Sequence, residues 1–520
     1  MTIKSANNLQ ELAWLFGCTA KQLGYYLYKR SLSSQYKRFE IKKKRGGVRV
    51  IHAPQSNIKL IQQSIRRELD KLKLFKPCVN GYVRNRNIIT NARPHVGQRF
   101  VLNIDLEDFF GAINYGRVYG LLSKPPFKLS KPVAAAIAKA CTLDNKLPQG
   151  APSSPIISNL VCSKLDSELS RLAKAHGCSY TRYADDLTFS SSGSMSLATR
   201  VQQPDGTSVC NISPTLSDII ESNGFRINQA KVRLAQRQHR QEVTGLIVNK
   251  RINVKRRYVR EVRAMLHAWQ KFGLAAAQKD FNALYSGSSD FEAAVRGKIG
   301  FIGHVRGRPD KVFKKFATQF NALAKGPKIR TELTPEEIVL QAVWVVEHDS
   351  DQGTAFFLEG YGLVTCAHCV GSGPIVIYHP ADHTKKFSVA LSNKNVHKDL
   401  AILDFPSALS EIIPIPLSKT SVPPKGASVH LFGYPAHHAA RPVRVEAGTI
   451  IRSFPKSAVT YLEITPKIIG GNSGGPVVNE TFAAVGVAVL GLNGEIDLKS
   501  TEFLAVSVDE FKGMPTSKIV

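Results

Sequence analysis

The hydrophobic pattern of the chain changes character twice. Helical periodicity dominates the first 75 residues, and short apolar strands then alternate with helices up to about Asn249. Residues 253–324 return to a helical pattern that is rich in lysine and arginine. Beyond residue 335, short β-branched segments such as AVWVVEH follow one another between glycine and proline turns. The pattern predicts an α+β region, a basic helical subdomain and an all-β barrel or sandwich.

These changes predict the domain boundaries. We expect sheet and helices in residues 1–250 and the basic helices in residues 251–324. A polar stretch interrupted by glycine and proline predicts a linker at 325–335, followed by the β domain at 336–520. Within the first region, a Ser/Gly/Gln-rich stretch at 190–205 predicts an exposed loop.

Charge divides the chain in the same place as the β-strand pattern. The net charge is +30, but residues 1–330 hold 56 Lys/Arg against 21 Asp/Glu, whereas residues 331–520 hold 14 against 19. A strong positive field on one folded part suits a polyanion such as nucleic acid, and the acidic remainder indicates a different task. The sequence has no apolar run typical of a membrane span or a signal peptide, so we expect a cytoplasmic protein and no membrane partner.

Cysteine spacing gives little support for a metal or a disulfide. Eight cysteines are scattered along the chain, and Cys366 and Cys369 have CxxC spacing with His368 between them. Because no second pair follows, the spacing does not predict a zinc site. We expect free thiols in a reducing compartment.

Acidic residues mark two strand ends. VLNIDLEDFF places Asp105 at the end of an apolar strand, and TRYADDLTFS places Asp185 and Asp186 between two β-type runs. A carboxylate at the end of an apolar strand is costly unless a cation awaits it. If the strands are neighbours, Asp105 and Asp185 would bind two Mg²⁺ ions, with Asp186 as a weaker or outer ligand. The alternative for an Asp pair alone is a solvated turn.

Further segments favour the first interpretation. YADD occurs with LPQGAPSSP, GFRINQAK and the Asp105 strand, in the order that resembles the reverse transcriptases over residues 40–320. The resemblance implies a right-hand polymerase with fingers and palm in 1–250 and a thumb in 251–324, which uses dNTPs and two Mg²⁺ ions. It also implies a set of nucleotide-binding residues. These are Gln149 and Gly150 in the pocket, Phe110 as the gate against a ribose 2′-hydroxyl, and Arg49 and Lys231 beside phosphates.

For Gln149, Arg49 and Lys231, packing or surface charge is the alternative explanation.

Two short motifs narrow the family, because NARPH, from Asn91 to His95, and VTG at 243–245 resemble elements of retron reverse transcriptases. That resemblance implies a cognate structured non-coding RNA as primer and template, and a branched RNA–DNA product known as msDNA. The residues expected to contact RNA are Asn91, His95, Lys255, Arg256, Arg257 and Arg260.

The acidic domain carries a second constellation. TCAHC contains His368, KDLAIL contains Asp399 and GNSGGP contains Ser473. Each string alone has a plain structural explanation, but in this order they resemble the trypsin-like, chymotrypsin-fold proteases, which implies a double β-barrel. Ser473 would be the nucleophile, His368 the general base and Asp399 its orienting partner. The N–H groups of Gly471 and Ser473 would form the oxyanion hole.

The sequence therefore predicts a multidomain chain: an α+β right-hand polymerase followed by an all-β trypsin-like domain. We expect a bacterial retron reverse transcriptase fused to a serine protease effector in antiphage defence. The expected partners are the non-coding RNA and its RNA–DNA product, with assembly on nucleic acid as an option. One rival is a non-retron or intron-type reverse transcriptase with a protease. The other is an RNA-binding scaffold with a non-catalytic adaptor domain.

Overall fold

The computed structural model describes residues 2–42, 46–202, 208–285, 290–349, 351–371, 373–382, 385–419, 422–435, 443–489 and 503–514. The chain forms two compact units, which consist of residues 1–255 and 256–520. No helix in the described ranges combines the length and the apolar character needed to cross a lipid bilayer.

The first unit combines helices with short strands. Its helices are α1 Leu9–Leu15, α2 Ala20–Gly24, α3 Ser56–Asp70, α4 Ile88–Ala92, α5 Tyr115–Ser123, α6 Lys131–Cys141, α7 Ser154–Val161, α8 Ser163–Ala175 and α9 Pro214–Ser222. Its strands are β1 Tyr36–Lys42, β2 Val48–Pro54, β3 Phe100–Asp105, β4 Ser179–Tyr183, β5 Asp186–Ser191, β6 Ala198–Gln202, β7 Ser208–Ile212, β8 Arg233–Gln236, β9 Glu242–Val243 and β10 Leu246–Ile247.

A four-stranded antiparallel sheet lies at the centre of this unit, in the order β4-β5-β3-β8. Leu102 and Ile104 of β3 and Leu187 and Phe189 of β5 are buried, so alternate positions of the two strands supply the core. The two strands pair throughout their lengths, from Phe100 opposite Ser191 onwards. This register brings the end of β3 beside the beginning of β5.

One predicted loop is a hairpin instead. Strands β6 and β7 pair from Ala198 opposite Ile212 to Gln202 opposite Ser208, so the prediction of an exposed loop over 190–205 is wrong for residues 198–202, and residues 203–205 lie outside the described ranges. Met195 and Leu197, which stand between polar residues in this stretch, are buried against the core. Burial of these two apolar side chains is favourable in free energy, and this outweighs the preference of the surrounding Ser and Gly residues for an exposed loop.

The second unit begins with helices and continues as strands. Its helices are α10 Arg256–Leu284, α11 Phe291–Arg306, α12 Lys311–Leu323 and α13 Pro335–Ala342. Its strands are β11 Val343–His348, β12 Asp351–Leu358, β13 Gly362–Thr365, β14 Ile375–Tyr378, β15 Lys386–Val389, β16 Leu391–Asn395, β17 Leu400–Leu403, β18 Ser428–Gly433, β19 Arg444–Lys456, β20 Val459–Ile464, β21 Pro476–Asn479, β22 Ala484–Val489 and β23 Phe503–Ser507.

The basic helices pack through aromatic side chains. The ring of Trp269 in α10 meets the rings of Phe291 and Phe320 edge to face, at centroid distances of 5.7 and 5.6 Å. Helix α10 is broken at Gly273, whose φ of 80° lies in the left-handed region that glycine adopts at low cost. The prediction of a helical segment before the β domain is therefore reproduced.

The segment predicted as a linker is held against these helices. The side-chain amide of Asn321 donates to the Ile329 carbonyl at 2.8 Å and accepts from the Ile329 N–H at 2.7 Å. Arg308 pairs with Glu337 at 2.8 Å, and Glu337 also completes a capping box with Thr334 at the start of α13. Hydrogen bonds therefore connect the basic helices to the beginning of the β domain within one compact unit.

The β domain consists of two sheets, as predicted. One has seven strands in the order β15-β14-β11-β12-β13-β17-β16, and the other is a closed six-stranded barrel in the order β18-β19-β20-β23-β22-β21. The β-branched residues of the sequence fill both interiors, for example Val343, Val345, Val477 and Val487, each of which is fully buried.

Candidate active sites

The three predicted acidic residues meet at one edge of the central sheet. Asp105, the last residue of β3, stands opposite Asp186, the first residue of β5. Asp185 lies in the tight turn between β4 and β5, and its carbonyl accepts a hydrogen bond from the Leu106 N–H at 3.1 Å. Ala184, with φ of 57°, allows this turn. Antiparallel pairing thus brings together Asp105 and Asp186, which lie 81 residues apart in the sequence.

The carboxylates repel one another. Burial by the surrounding atoms raises the pKa of Asp186 to about 7, with further contributions from the charges of Asp185 and Asp105, although the residue itself is exposed to solvent. Burial and the charge of Asp105 also raise the pKa of Asp185. Lys231 lies beside them, with its Nζ atom 2.8 Å from Oδ1 of Asp105. The raised pKa values show that the negative charges of the cluster are unfavourable without a positive partner. Carboxylate oxygens in such a cluster are suitable ligands for divalent cations.

The predicted nucleotide-binding residues lie around this cluster to different degrees. Arg49 lies on β2, and its positive charge lowers the pKa of Asp185. Gln149 accepts a hydrogen bond from the His52 N–H of the same strand at 2.8 Å. Gly150 has a φ of 116°, and a Cβ atom there would lie 3.0 Å from the His52 carbonyl oxygen, so glycine is required. The LPQG segment therefore packs directly against β2.

Phe110 is half-buried, and its ring meets that of Phe109 edge to face at 5.3 Å. Neither the exposure nor the contact tests its predicted role as a gate against the ribose 2′-hydroxyl. That role stays a prediction.

Asn91 and His95 are buried, which contradicts the expectation that they contact RNA. Both have no exposed surface. His95 lies 2.6 Å from Ser190 Oγ through Nδ1 and 2.8 Å from Thr181 Oγ1 through Nε2, so it ties β4 and β5 to helix α4 and the turn after it. Burial lowers the pKa of His95 to about 3, so the ring is neutral. The NARPH motif therefore supports the sheet that carries the acidic residues.

The basic residues at the start of the helical region are placed differently. Arg256, Arg257 and Arg260 are exposed on the first turns of α10, where phosphates can reach them. Lys255 forms an ion pair with Glu242, with 2.6 Å between Nζ and Oε1. The three arginines remain candidates for RNA contact. Lys255 would have to leave Glu242 to bind an RNA phosphate.

Sequence reasoning missed the ion pair that supports the YADD turn. Arg182 and Asp166 are fully buried and form two hydrogen bonds of 2.8 Å, from Nε to Oδ1 and from Nη2 to Oδ2. Arg182 Nη1 also donates to Asn159 Oδ1 at 3.0 Å and to the Ala184 carbonyl at 3.2 Å. Arginine before YADD and aspartate on an amphipathic helix were the available signals, but their pairing depends on the tertiary fold.

Replacing Asp166 by asparagine should destabilise the first unit. The change keeps the shape of the side chain but leaves the Arg182 guanidinium without a buried counter-charge, which typically costs about 3–5 kcal/mol. Denaturant unfolding of the full chain would measure it. Glu168→Gln on the same helix, at a partly exposed pair with Lys164, should cost less than about 1 kcal/mol. Equal losses in the two variants would contradict the assigned role of the pair.

The second constellation assembles in the β domain. His368 lies in a short turn at Ala367–Cys369 after β13, and Asp399 immediately precedes β17. Asp399 accepts two hydrogen bonds from His368, one from the backbone N–H at 3.0 Å and one at Nδ1, 2.7 Å away. The paired strands β13 and β17 bring the two residues together. The contact at Nδ1 leaves Nε2 as the nitrogen that can serve as a base.

The loop that carries Ser473 is held from behind by Thr354. The Thr354 N–H donates to the Ser473 carbonyl at 2.8 Å, and Thr354 Oγ1 donates to the Gly471 carbonyl at 2.7 Å. Gly471 has a φ of 94°. At Gly474 a Cβ atom would lie 2.1 Å from the Thr354 carbonyl oxygen, so the GNSGGP string is required by close backbone approach. The predicted oxyanion residues thus occupy a rigid loop.

Two thiols flank His368. Burial lowers the pKa of the His368 imidazole, but Asp399 and the neighbouring Cys369 outweigh it, and the pKa rises to about 10. Hydrogen bonding from Cys366 lowers the pKa of Cys369, against the effect of burial and with help from His368. All eight cysteines of the chain are free thiols. Asp399 and Cys369 are therefore the two neighbours that favour the protonated form of His368.

This pairing predicts how the reactivity of Ser473 depends on pH. An imidazole accepts a proton only when neutral, so the rate of labelling by a fluorophosphonate should rise with pH, with a midpoint above the ordinary histidine value of about 6.5. Cys369→Ala removes one negative neighbour, which lowers the pKa of His368 and moves the rise to lower pH. Labelling rates between pH 6 and 10 would show it, and an unmoved midpoint would contradict the coupling.

Comparison with known proteins identifies both domains. Residues 41–248 match the reverse transcriptase (RNA-dependent DNA polymerase) family, and residues 353–487 match the trypsin-like peptidase domain family. The fold and the two sites thus define a reverse transcriptase domain joined to a trypsin-like peptidase domain. A serine endoprotease from Yersinia pestis aligns with 35% of this chain and 65% of its own, with 19% identity and a TM-score of 0.29.

The relatives of the polymerase region are more specific. Retron Ec86 reverse transcriptase of Escherichia coli is 31% identical over 323 residues, which are 61% of this chain and 90% of that protein. Retron Mx65 reverse transcriptase of Myxococcus xanthus is 34% identical over 278 residues, and the match spans 50% of this chain and 62% of that protein. The chain belongs to the retron reverse transcriptases.

Proposed function

We propose that this protein copies a cognate structured RNA into a branched RNA–DNA molecule, and that its C-terminal domain is a serine endopeptidase that acts as the effector in bacterial antiphage defence. The observation that carries the polymerase part is the pairing of Asp105 with Asp186 beside Asp185, in a chain of the retron family. The template RNA, its RNA–DNA product and dNTPs are the partners, and the bacterial cytoplasm is the location.

In the polymerase, Asp105 and Asp185 would hold two Mg²⁺ ions and Asp186 would be an outer ligand. Bound Mg²⁺ activates the attacking hydroxyl and neutralises the leaving pyrophosphate. Arg49, whose positive charge lowers the pKa of Asp185, would bind the incoming triphosphate. Lys231, now paired with Asp105, is placed to exchange that carboxylate for a phosphate oxygen once the charge of the cluster is compensated.

In the peptidase, Ser473 attacks the scissile carbonyl and His368 takes its proton. Asp399 holds the imidazole with Nδ1 towards itself and stabilises the positive charge that develops there. The N–H groups of Gly471 and Ser473 bind the oxyanion, and Thr354 keeps their loop rigid. The expected reaction is endoproteolysis of host or phage proteins.

The nucleic acid that co-purifies with the protein tests the retron function. Sequencing should find one defined RNA joined to its complementary DNA through a 2′–5′ bond that a debranching enzyme cleaves, because a retron enzyme primes from an internal 2′-hydroxyl. A linear product primed from a 3′ end would favour the intron-type rival. Absence of any DNA, together with no primer extension and no fluorophosphonate labelling, would favour the scaffold rival.

A further inference from the structure

The two thiols of the CxxC segment lie directly behind the catalytic serine and histidine. Cys366 Sγ is 3.2 Å from the Ala488 carbonyl oxygen, and Cys369 Sγ is 3.6 Å from the Ser473 carbonyl oxygen. Both are buried, with 0% and 8% exposure. The Cys369 N–H donates to the Cys366 carbonyl at 3.2 Å, which closes the turn and brings the two sulfurs to the same side.

The histidine between the thiols completes a group of three soft ligands. The two Sγ atoms and a ring nitrogen of His368 all lie within 4.8 Å of one another. In a tetrahedral zinc site, bonds of about 2.3 Å to sulfur and 2.0 Å to nitrogen place the ligand atoms about 3.5–3.8 Å apart. Movements of about 1 Å therefore suffice to enclose a cation, and the described residues contain no other group of this composition within the same span.

Charge and packing favour a divalent cation in this place. Two thiolates neutralise such an ion, so a buried complex would carry no net charge from the metal and its sulfurs. Gly353 on β12 is part of the enclosure, because a Cβ atom there would lie 2.6 Å from Cys369 Sγ and 3.2 Å from the Ser473 carbonyl oxygen. Glycine at this position leaves the sulfur its space.

We propose that Cys366, His368 and Cys369 form a binding site for a thiophilic divalent cation of the zinc type, which holds the peptidase inactive. Binding joins the cation to both sulfurs and to an imidazole nitrogen and releases to solvent the protons that these three groups carry. The catalytic histidine is thereby withdrawn from Ser473 and can no longer accept its proton. The inhibitory effect rests on the proposed peptidase function, whereas the metal site itself does not.

Cobalt spectroscopy tests the site independently of activity. Full-length protein, stripped of metal and kept in a non-thiol reductant, should show thiolate-to-cobalt charge-transfer absorption that saturates at one equivalent of Co²⁺. Cys366→Ser and Cys369→Ser should each lose this absorption. The matched control Cys18→Ser, which changes a thiol in the other unit, should retain it. Carboxylates of the polymerase site give no sulfur band. No band in the parent protein, or an unchanged band in Cys366→Ser, would overturn the proposal.

Zinc inhibition tests the consequence. Zinc at one equivalent should reduce fluorophosphonate labelling of Ser473 to background, and a chelator should restore it. Cys366→Ser should label equally with and without zinc, and labelling of the parent protein that is insensitive to zinc would overturn the inhibitory role. If the parent protein does not label even without metal, the peptidase function fails, and the cobalt spectrum still decides whether the site exists.

Discussion

Asp185→Asn should abolish DNA synthesis while leaving the fold intact. The change removes one negative ligand from the carboxylate cluster, and the loss of metal-assisted charge stabilisation, several kcal/mol, corresponds to roughly a thousandfold or more in rate. Primer extension by the full chain with Mg²⁺, and recovery of branched RNA–DNA from cells, are the measurements. In the absence of divalent metal the variant should unfold at a higher temperature than the parent protein, because burial and the charge of Asp105 raise the pKa of the native carboxyl.

The control for this prediction is Asp108→Asn. Asp108 lies three residues beyond Asp105 but its side chain is 65% exposed, and it pairs only loosely with Lys146, at 3.7 Å. This variant should extend primers at the parental rate. Primer extension by Asp185→Asn within a few fold of the parent would remove Asp185 from the catalytic group and with it the proposed role of the YADD turn.

Ser473→Ala should abolish the peptidase and, with it, protection against phage. Loss of the nucleophile in a Ser-His-Asp triad costs about a millionfold in turnover, so neither peptide hydrolysis nor fluorophosphonate labelling should be detectable. The branched DNA should remain at its parental level because the polymerase site belongs to the other compact unit. Plaque assays on cells that express the complete system, together with the amount of branched DNA, separate the two activities.

A second serine provides the control for the peptidase. Ser410 lies on the exposed surface of the same domain, and Ser410→Ala should protect and hydrolyse as the parent does. Protection that persists in Ser473→Ala would show that the peptidase is not the effector. Loss of branched DNA in that variant would instead indicate that the substitution disturbs the whole chain.

The proposed catalytic residues are visible in the sequence because each lies in a short segment whose chemistry is unusual. Asp105 and the Asp185–Asp186 pair interrupt apolar strands, and an interruption of this kind is costly without a function. The order of His368, Asp399 and Ser473 was similarly visible. The sequence did not establish that the two strands are neighbours, and the antiparallel pairing of β3 with β5 is a finding of the structure.

The supporting residues could not be identified in the same way. Arg182 reads as one more basic residue in a basic region, and only the fold shows that it is buried with Asp166. His95 belongs to a recognisable motif, but nothing local distinguishes a residue that touches RNA from one that joins two strands. The approach of Cys369 to Ser473, and of Cys366 to Ala488, likewise depends on how the two sheets meet.

The attachment of α13 decides how the peptidase can be produced alone. A fragment that starts at residue 336, where sequence pattern would place the cut, loses Thr334 and so uncaps the first helix of the domain, at a typical penalty of about 1 kcal/mol. The fragment also lacks Arg308, so Glu337 loses its ion-pair partner. Expression plasmids for the isolated enzyme should therefore begin at Arg256, where the second compact unit starts.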